Sequence, residues 1–369
     1  MATSSFSIMQ MVCCPLIVSL STRVGRTVVL RGCLAGATLA SCLIALSPSV
    51  TAIILSRGLA GVFAASIPVA QAGVTDVVAK KQSAAALSRV ASAAQLGIVV
   101  GPAVSAFLAA GFALMGVPAP LQVRAVFATS GLFALIVLAL QKAPANAPKE
   151  DQGSSASGGT NAAAESKADS TLALAQPLLR IVALVLGWSL TLSVSTYCLF
   201  GDAVMHWKQP QLSASFSLGA TMTVLTQLVL FPKLVKRIGE HHACSAGLSA
   251  VAVGLAGCSL VHLQPFHTVL YLVNRVGSGV ADTATATLVA LSSKGREARS
   301  RNLALIQSTR AGARVVTPLL SGYLFTFSLT TRAPGALPYL LVASLAILLT
   351  PLPLLLKKWA GARELERGG

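Results

Sequence analysis

The chain has 369 residues, of which 54% are hydrophobic and only 11% charged, with a formal net charge of +17. Soluble domains carry about 25% charged residues, so a water-exposed globular fold is excluded, and a mean hydropathy of +0.75 points to a polytopic membrane protein. No soluble segment interleaves basic with aromatic side chains, so the positive charge does not read as a nucleic-acid surface and no nucleic-acid partner is expected.

A bilayer core of roughly 30 Å takes about 20 helical residues to cross. Eleven apolar runs approach that length: 6–21, 27–47, 50–74, 85–112, 122–141, 176–200, 212–235, 243–262, 267–291, 302–328 and 336–356. They are continuously apolar rather than alternating, which predicts helices and not barrel strands. The first run holds the adjacent Cys13 and Cys14; these and the other five cysteines (33, 42, 198, 244, 258) show no metal-like spacing and read as small apolar packers.

Between the first two runs stands a short basic turn, S-T-R-V-G-R, carrying Arg23, Gly25 and Arg26. The third run contains Arg57 and Gln71, and the fourth contains Gly97, Gly101 and Pro102. After the fifth run comes an Ala-, Ser- and Gly-rich stretch, 142–175, which cannot bury a core and is expected to be a flexible linker. It divides an N-terminal bundle, 1–141, from a C-terminal bundle, 176–356, with a basic tail over 357–369. The C-terminal bundle carries Trp188, Tyr197, Gln227, Asn274 and Gln307 within its apolar runs.

The basic residues are segregated. Of 28 Lys and Arg, 21 fall in one alternating set of gaps and the tail, whereas the other gaps hold only Arg124, Lys208 and Arg332. By the excess of Lys and Arg in cytoplasmic loops, the tail and the linker are expected to be cytoplasmic. The membrane that hosts the chain is not specified by this pattern.

The second half overlays the first at an offset near 216. Arg23-Val24-Gly25 falls on Arg237-Ile238-Gly239, S-R-G-L-A-G-V (56–62) on N-R-V-G-S-G-V (274–280), and V-V-G-P-A-V-S-A-F-L (99–108) on V-V-T-P-L-L-S-G-Y-L (315–324). Two halves on one helical plan are the mark of many secondary transporters.

With these segments the chain resembles the major facilitator superfamily, in its drug/proton antiporter branch that includes tetracycline-efflux-like carriers. The loop motif G-x-L-x-D-R-x-G-R-[KR] is matched by Val18, Leu20, Thr22, Arg23, Gly25, Arg26 and Thr27, with Thr22 at its acidic position. The fourth-helix motif is matched by Ile53, Arg57, Ala60, Gly61, Phe63, Ala64 and Ala65; the antiporter motif by Gly97, Gly101 and Pro102, with Ser105 and Ala106 for its last glycines. Asp76 matches the family's aspartate at the inner end of the fourth helix. The resemblance implies twelve helices in two pseudo-symmetric bundles, and its register places residues 6–21 in the second of them. A first helix is therefore expected in a longer form of the chain; the alternative is that residues 1–31, which lack acids, are an organellar targeting peptide.

Arg57, Arg275, Asp282, Arg310 and Arg314 lie inside apolar runs, where a charge is costly unless it meets water or a partner. Arg275 and Asp282 are two helical turns apart, and Asp282 and Arg310 lie at similar depths, about 13 Å in at 1.5 Å per residue. Two readings stay open for Asp282: a proton-responsive or solute-facing carboxylate held by Arg310 or Arg314, or a static ion pair. Arg57 resembles the family arginine linked to proton transfer, or anchors carbonyls of neighbouring helices. Gly97, Gly101 and Pro102 are expected to allow close helix approach and a bend. Gln71, Trp188, Tyr197, Gln227, Asn274 and Gln307 are candidate cavity residues or helix glue.

The five histidines form no catalytic or metal-binding spacing, with His206, His262 and His267 expected at solvated outer ends, and no phosphate loop of the G-x-x-x-x-G-K-[ST] type occurs. The sequence thus predicts no enzyme, no cofactor and no metal. It predicts proton-coupled efflux of a small organic or amphipathic solute, with protons and lipid as the further partners and the oligomeric state unspecified. The alternatives are a facilitative carrier without protons and a non-transporting membrane scaffold or sensor.

Overall fold

The computed structural model describes residues 2–140 and 162–359, and those residues form helices and connecting turns without a strand. The N-terminal half contains α1 (Ala2–Val24), α2 (Arg26–Leu46), α3 (Val50–Val62), α4 (Ser66–Val77), α5 (Ser83–Leu114) and α6 (Ala119–Leu140). The C-terminal half contains α7 (Ala162–Thr191), α8 (Tyr197–Ala203), α9 (Gln209–Leu225), α10 (Phe231–Leu260), α11 (Gln264–Leu291), α12 (Gly295–Ser328) and α13 (Leu337–Leu349).

Each of the eleven expected spans falls on helix. The third is α3 and α4 with a break at 63–65, and single π turns join α7 to α8 (Leu192–Thr196) and α9 to α10 (Thr226–Leu230). Eight stretches are long and apolar enough to cross a membrane, and one of them, Gln211–Leu260, contains two spans. The two spans outside that set, α11 and α12, are those that carry Arg275, Asp282, Arg310 and Arg314.

One boundary differs. Helix α7 begins at Ala162, inside the stretch expected to be a flexible linker. Three alanines followed by Glu165 at its start are strong helix formers. The rest of that stretch, through residue 161, and the tail from residue 360 lie outside the described residues.

The paired turns have a backbone cause. Gly25, between α1 and α2, has φ +109°, and Gly239, which interrupts α10, has φ +78° and ψ 168°. This region is essentially closed to residues with a Cβ. No atom lies within 4 Å of where a Cβ would sit on Gly239, so its cost is conformational rather than steric. Gly239→Ala is therefore expected to destabilise the fold by about 1–3 kcal/mol, read as a lower midpoint in denaturant titration of the detergent-solubilised protein. An unchanged midpoint would mean that the turn relaxes into another conformation.

Packing is tightest where α10 crosses α11. A Cβ on Gly247 would meet the Ala281 backbone nitrogen at 2.7 Å, and one on Gly254 would strike Asn274. Without a hydrophobic drive between helices in lipid, such close approach is what holds them. The C-terminal core gathers Leu179, Val182, Leu248, Val251, Leu255 and Val280. A smaller core of Cys14, Val18, Val29, Cys33, Ala65 and Val69 takes in Ala304 of α12, so the halves share an apolar seam between α1 and α12.

Outward faces are apolar too: Leu16, Leu55, Phe107, Leu114, Leu319 and Leu348 are all exposed, as surface in contact with hydrocarbon should be. Cys14, Cys33, Cys244 and Cys258 are buried, but Cys42 and Cys198 are exposed and so are not interior packers.

Candidate functional site

Two features join the halves: a charged cluster at the end bearing the basic turns, and a polar cavity deeper in. In the cluster, Asp76 at the end of α4 is 10% exposed and meets three guanidinium groups. Arg26 lies at 3.1 Å, Arg296 at 2.9 Å and Arg299 at 3.4 Å. Arg26 belongs to the same half as Asp76, whereas Arg296 and Arg299 come from the start of α12 in the other half. Arg26 also donates to Ser21 Oγ at 2.5 Å and to Ser300 of α12.

The cluster corrects part of the motif reading. Thr22, at the acidic position, donates to the Ser19 carbonyl at 2.7 Å and takes no part, and among the described residues Asp76 supplies the negative charge that pairs with Arg26, Arg296 and Arg299. Arg23 and Arg237 are exposed, and of the turn arginines only Arg26 enters the cluster. Ser88 of α5, which donates to the Gln227 carbonyl in the second π turn, adds a further contact between the halves.

The cavity is lined from both halves: by Ile67 and Gln71 of α4, by Ala91, Ala94, Gln95 and Ile98 of α5, and by Leu186, Gly187 and Leu190 of α7. Thr223 and Gln227 follow, then Arg275, Ser278, Gly279 and Asp282 of α11 and Gln307, Arg310 and Arg314 of α12. Arg310 Nη2 lies 2.5 Å from Asp282 Oδ1; the arginine is 9% exposed and the carboxylate 37%. Arg314 donates to Gln10 Oε1 of α1 at 2.5 Å, and Gln10 Nε2 donates in turn to the Ala64 carbonyl at 3.0 Å. The residue four places on is Pro68, which has no N–H to donate to that carbonyl. Arg275 is 4% exposed and its Nε has no hydrogen-bond partner.

Gln71, Gln227 and Gln307 thus face the cavity, and three other candidates do not. Asn274 is buried and stitches α11 to the first π turn, donating to Ser193 Oγ at 2.9 Å. Trp188 donates to Ser321 Oγ at 3.0 Å. Tyr197 sits in an aromatic cluster toward the opposite end. Arg57 lies 5.1 Å from the Phe6 ring centroid and does not line the cavity. Gly97 and Gly101 have no neighbour within 4 Å of a built Cβ, so the close approach expected there is absent in this conformation; the side chain of Pro102 is not among those described.

The sequence alone does not mark Gln10, Gln95, Arg296 or Arg299 as site residues. Their signal was present in part, as polar residues within or beside apolar runs. His267 also differs from expectation: it is fully buried rather than solvated. Its ring stacks between Tyr197 and Phe200, its Nε2 is 3.0 Å from the Tyr197 hydroxyl, and its Nδ1 is 3.0 Å from the Val261 carbonyl. Nδ1–H donating to the carbonyl leaves Nε2 to accept from Tyr197. Tyr197→Phe strands that nitrogen in an apolar pocket and is expected to cost about 1–3 kcal/mol in stability, measured by denaturant titration against wild type. A neutral result would mean that water replaces the hydroxyl.

The family model described as Major Facilitator Superfamily matches residues 1–273. The chain belongs to this superfamily. Members of this superfamily are transporters and not enzymes. The tetracycline resistance protein, class C, of Escherichia coli is 25% identical over 249 residues, covering 68% of this chain and 60% of that protein. The chain thus spans about three-fifths of the length of that curated relative. Among solved structures, the human organic anion transporter MFSD10 (TETRAN) superposes with a TM-score of 0.75 at 20% identity, covering 95% of this chain and 82% of the other. At that identity the likeness is one of fold. The cavity between the two halves holds the Asp282–Arg310 pair.

Proposed function

We propose that this facilitator exports a small organic solute in exchange for protons, by alternating exposure of the cavity between its halves. The observation that carries the reading is the Asp282–Arg310 pair. Asp282 is the sole carboxylate lining the cavity among the described residues, and its partial exposure leaves it open to protons and solute. Exchange requires proton and solute to exclude each other. A solute that donates a hydrogen bond to the Asp282 carboxylate meets that demand, because a proton on the same group removes the acceptor. Export is supported by the distant tetracycline-resistance relative.

The segregation of Lys and Arg supports a cytoplasmic position for the basic end, with the linker and tail. On that orientation the Asp76 cluster is a latch between the halves at the inner end of the cavity.

The test is uptake into proteoliposomes with an imposed pH gradient, using tetracycline and a set of naphthalene carboxylates, amides and amines as probes. Gradient-driven uptake of at least one probe, collapsed by a protonophore, is the expected result. Uptake that ignores the protonophore would make the chain a facilitative carrier. No uptake of any probe above empty liposomes would favour a membrane scaffold.

A further inference from the structure

The cavity carries more positive charge than its own acid can balance. Three guanidinium groups line it, those of Arg275, Arg310 and Arg314, against one carboxylate. That carboxylate is committed to Arg310 at 2.5 Å. Arg314 finds only the neutral Gln10, and among the described residues no carboxylate lies within ion-pair distance of Arg275 or Arg314. Arg275 is almost fully buried, and the Nε of each of the three arginines is buried without a partner. Removing an unmatched guanidinium from water is costly unless a counter-charge arrives. With both lining one cavity, that cavity has an unmet demand for negative charge.

We infer that the solute is an organic anion whose carboxylate, sulfonate or phosphate group is held by Arg275 and Arg314. Its apolar body lies on Ile67, Ile98, Leu186 and Leu190 of the same cavity. The inference rests on the reading of this cavity as the solute site. It also specifies a second group. Arg310 engages Oδ1 of Asp282, and among the described residues no donor reaches Oδ2, so a hydroxyl or amide N–H on the solute, set apart from the anionic group, donates there. An anion lacking that donor binds the arginines but does not compete with the proton, because protonating Asp282 only makes the cavity more positive.

The experiment is equilibrium binding to the purified full chain in a neutral detergent, without any gradient. The probes share one ring system: 2-naphthoate, 6-hydroxy-2-naphthoate, 2-naphthamide and 2-naphthylmethylammonium. The anions are expected to bind about tenfold or more tightly than the amide, the increment of a charge-assisted contact, and the ammonium more weakly than either. Arg275→Gln and Arg314→Gln should each remove most of the preference for anions, weakening 2-naphthoate far more than the amide; Arg275→Lys should keep part of it. Asp282→Asn, which removes the one negative charge, should tighten 2-naphthoate.

Tighter binding of the ammonium than of the anions, anion affinity unmoved by both Gln variants, or no binding of any probe by a folded wild type would each overturn the anion site. The transport reading fails separately. Arginine-dependent naphthoate binding with no response to a pH gradient in proteoliposomes would leave the anion site standing and remove proton exchange, and gradient-driven transport of the ammonium would do the reverse.

Discussion

Asp76→Asn is expected to open the latched end and to raise the labelling of Cys14 by a hydrophilic maleimide about tenfold. Cys14 is 1% exposed, with its Sγ 3.8 Å from the Ala304 carbonyl across the seam between the halves, so it reports separation there. The Arg26–Asp76 pair lies within one half and survives opening. The bias toward the closed end therefore comes from the contacts across the seam, to Arg296, Arg299 and Ser300.

Arg296 is 54% exposed and contributes little, whereas Arg299 at 21% and the buried Ser300 are better shielded from water. Partly buried pairs of this kind are worth roughly 1–2 kcal/mol, which is about one decade in the ratio of the two states at 1.4 kcal/mol per tenfold. The substitution also leaves three guanidinium groups facing one another with no acid between them, which favours separation. Transport should fall with the same change, since one exposure of the cavity is overpopulated. Site-resolved mass spectrometry separates Cys14 from the exposed Cys42 and Cys198. Loss of transport with Cys14 still protected would mean that Asp76 acts within its own half and does not latch the two.

Asp282→Asn is expected to abolish gradient-driven accumulation while downhill exchange of the probe persists. Asparagine keeps the shape and still accepts a hydrogen bond from Arg310, but it cannot take up a proton. The cavity then has no titratable acid among the described residues. Accumulation should drop at least about tenfold, to the level set by the solute gradient alone, because a carrier without the coupled ion can only equilibrate its solute. Asp282→Glu should restore part of the coupling, and a folding control is needed because Arg310 is 9% exposed and depends on its counter-charge. Coupling unchanged in Asp282→Asn would reduce the pair to a structural contact and move proton binding elsewhere.

Much of the fold is legible in the residues. Runs of apolar side chains long enough for a bilayer mark the spans, and each falls on helix, the third across the break between α3 and α4. The repeated R-x-G turn is legible because only glycine adopts the backbone that Gly25 and Gly239 require. The pairing of Asp282 with Arg310 is also foreshadowed, since a charge inside a span must find a partner and these two sit at matching depths.

The site itself is only half legible, and Asn274 and Gln227 show why. Both are amides within apolar runs. Asn274 is spent on Ser193, while Gln227 opens onto the cavity. In a soluble helix the periodicity of apolar residues separates the inner from the outer face. In a membrane it does not, because lipid tails are as apolar as the packed interior. Gln10 and Arg299 are not legible as site residues for a related reason: their partners, Arg314 and Asp76, lie some three hundred and two hundred residues away, and only assembly of α1 against α12 and of α4 against α12 brings them together.

The residues alone therefore determine that this chain crosses a membrane many times in two related halves, because length and apolarity are local properties of each segment. The tertiary structure decides which polar groups meet: Asp76 with three arginines at one end, His267 sealed among aromatic rings at the other, and an excess of guanidinium charge around the cavity between them. Those meetings depend on how each helix is turned about its axis, which is set by packing against neighbours from distant parts of the chain.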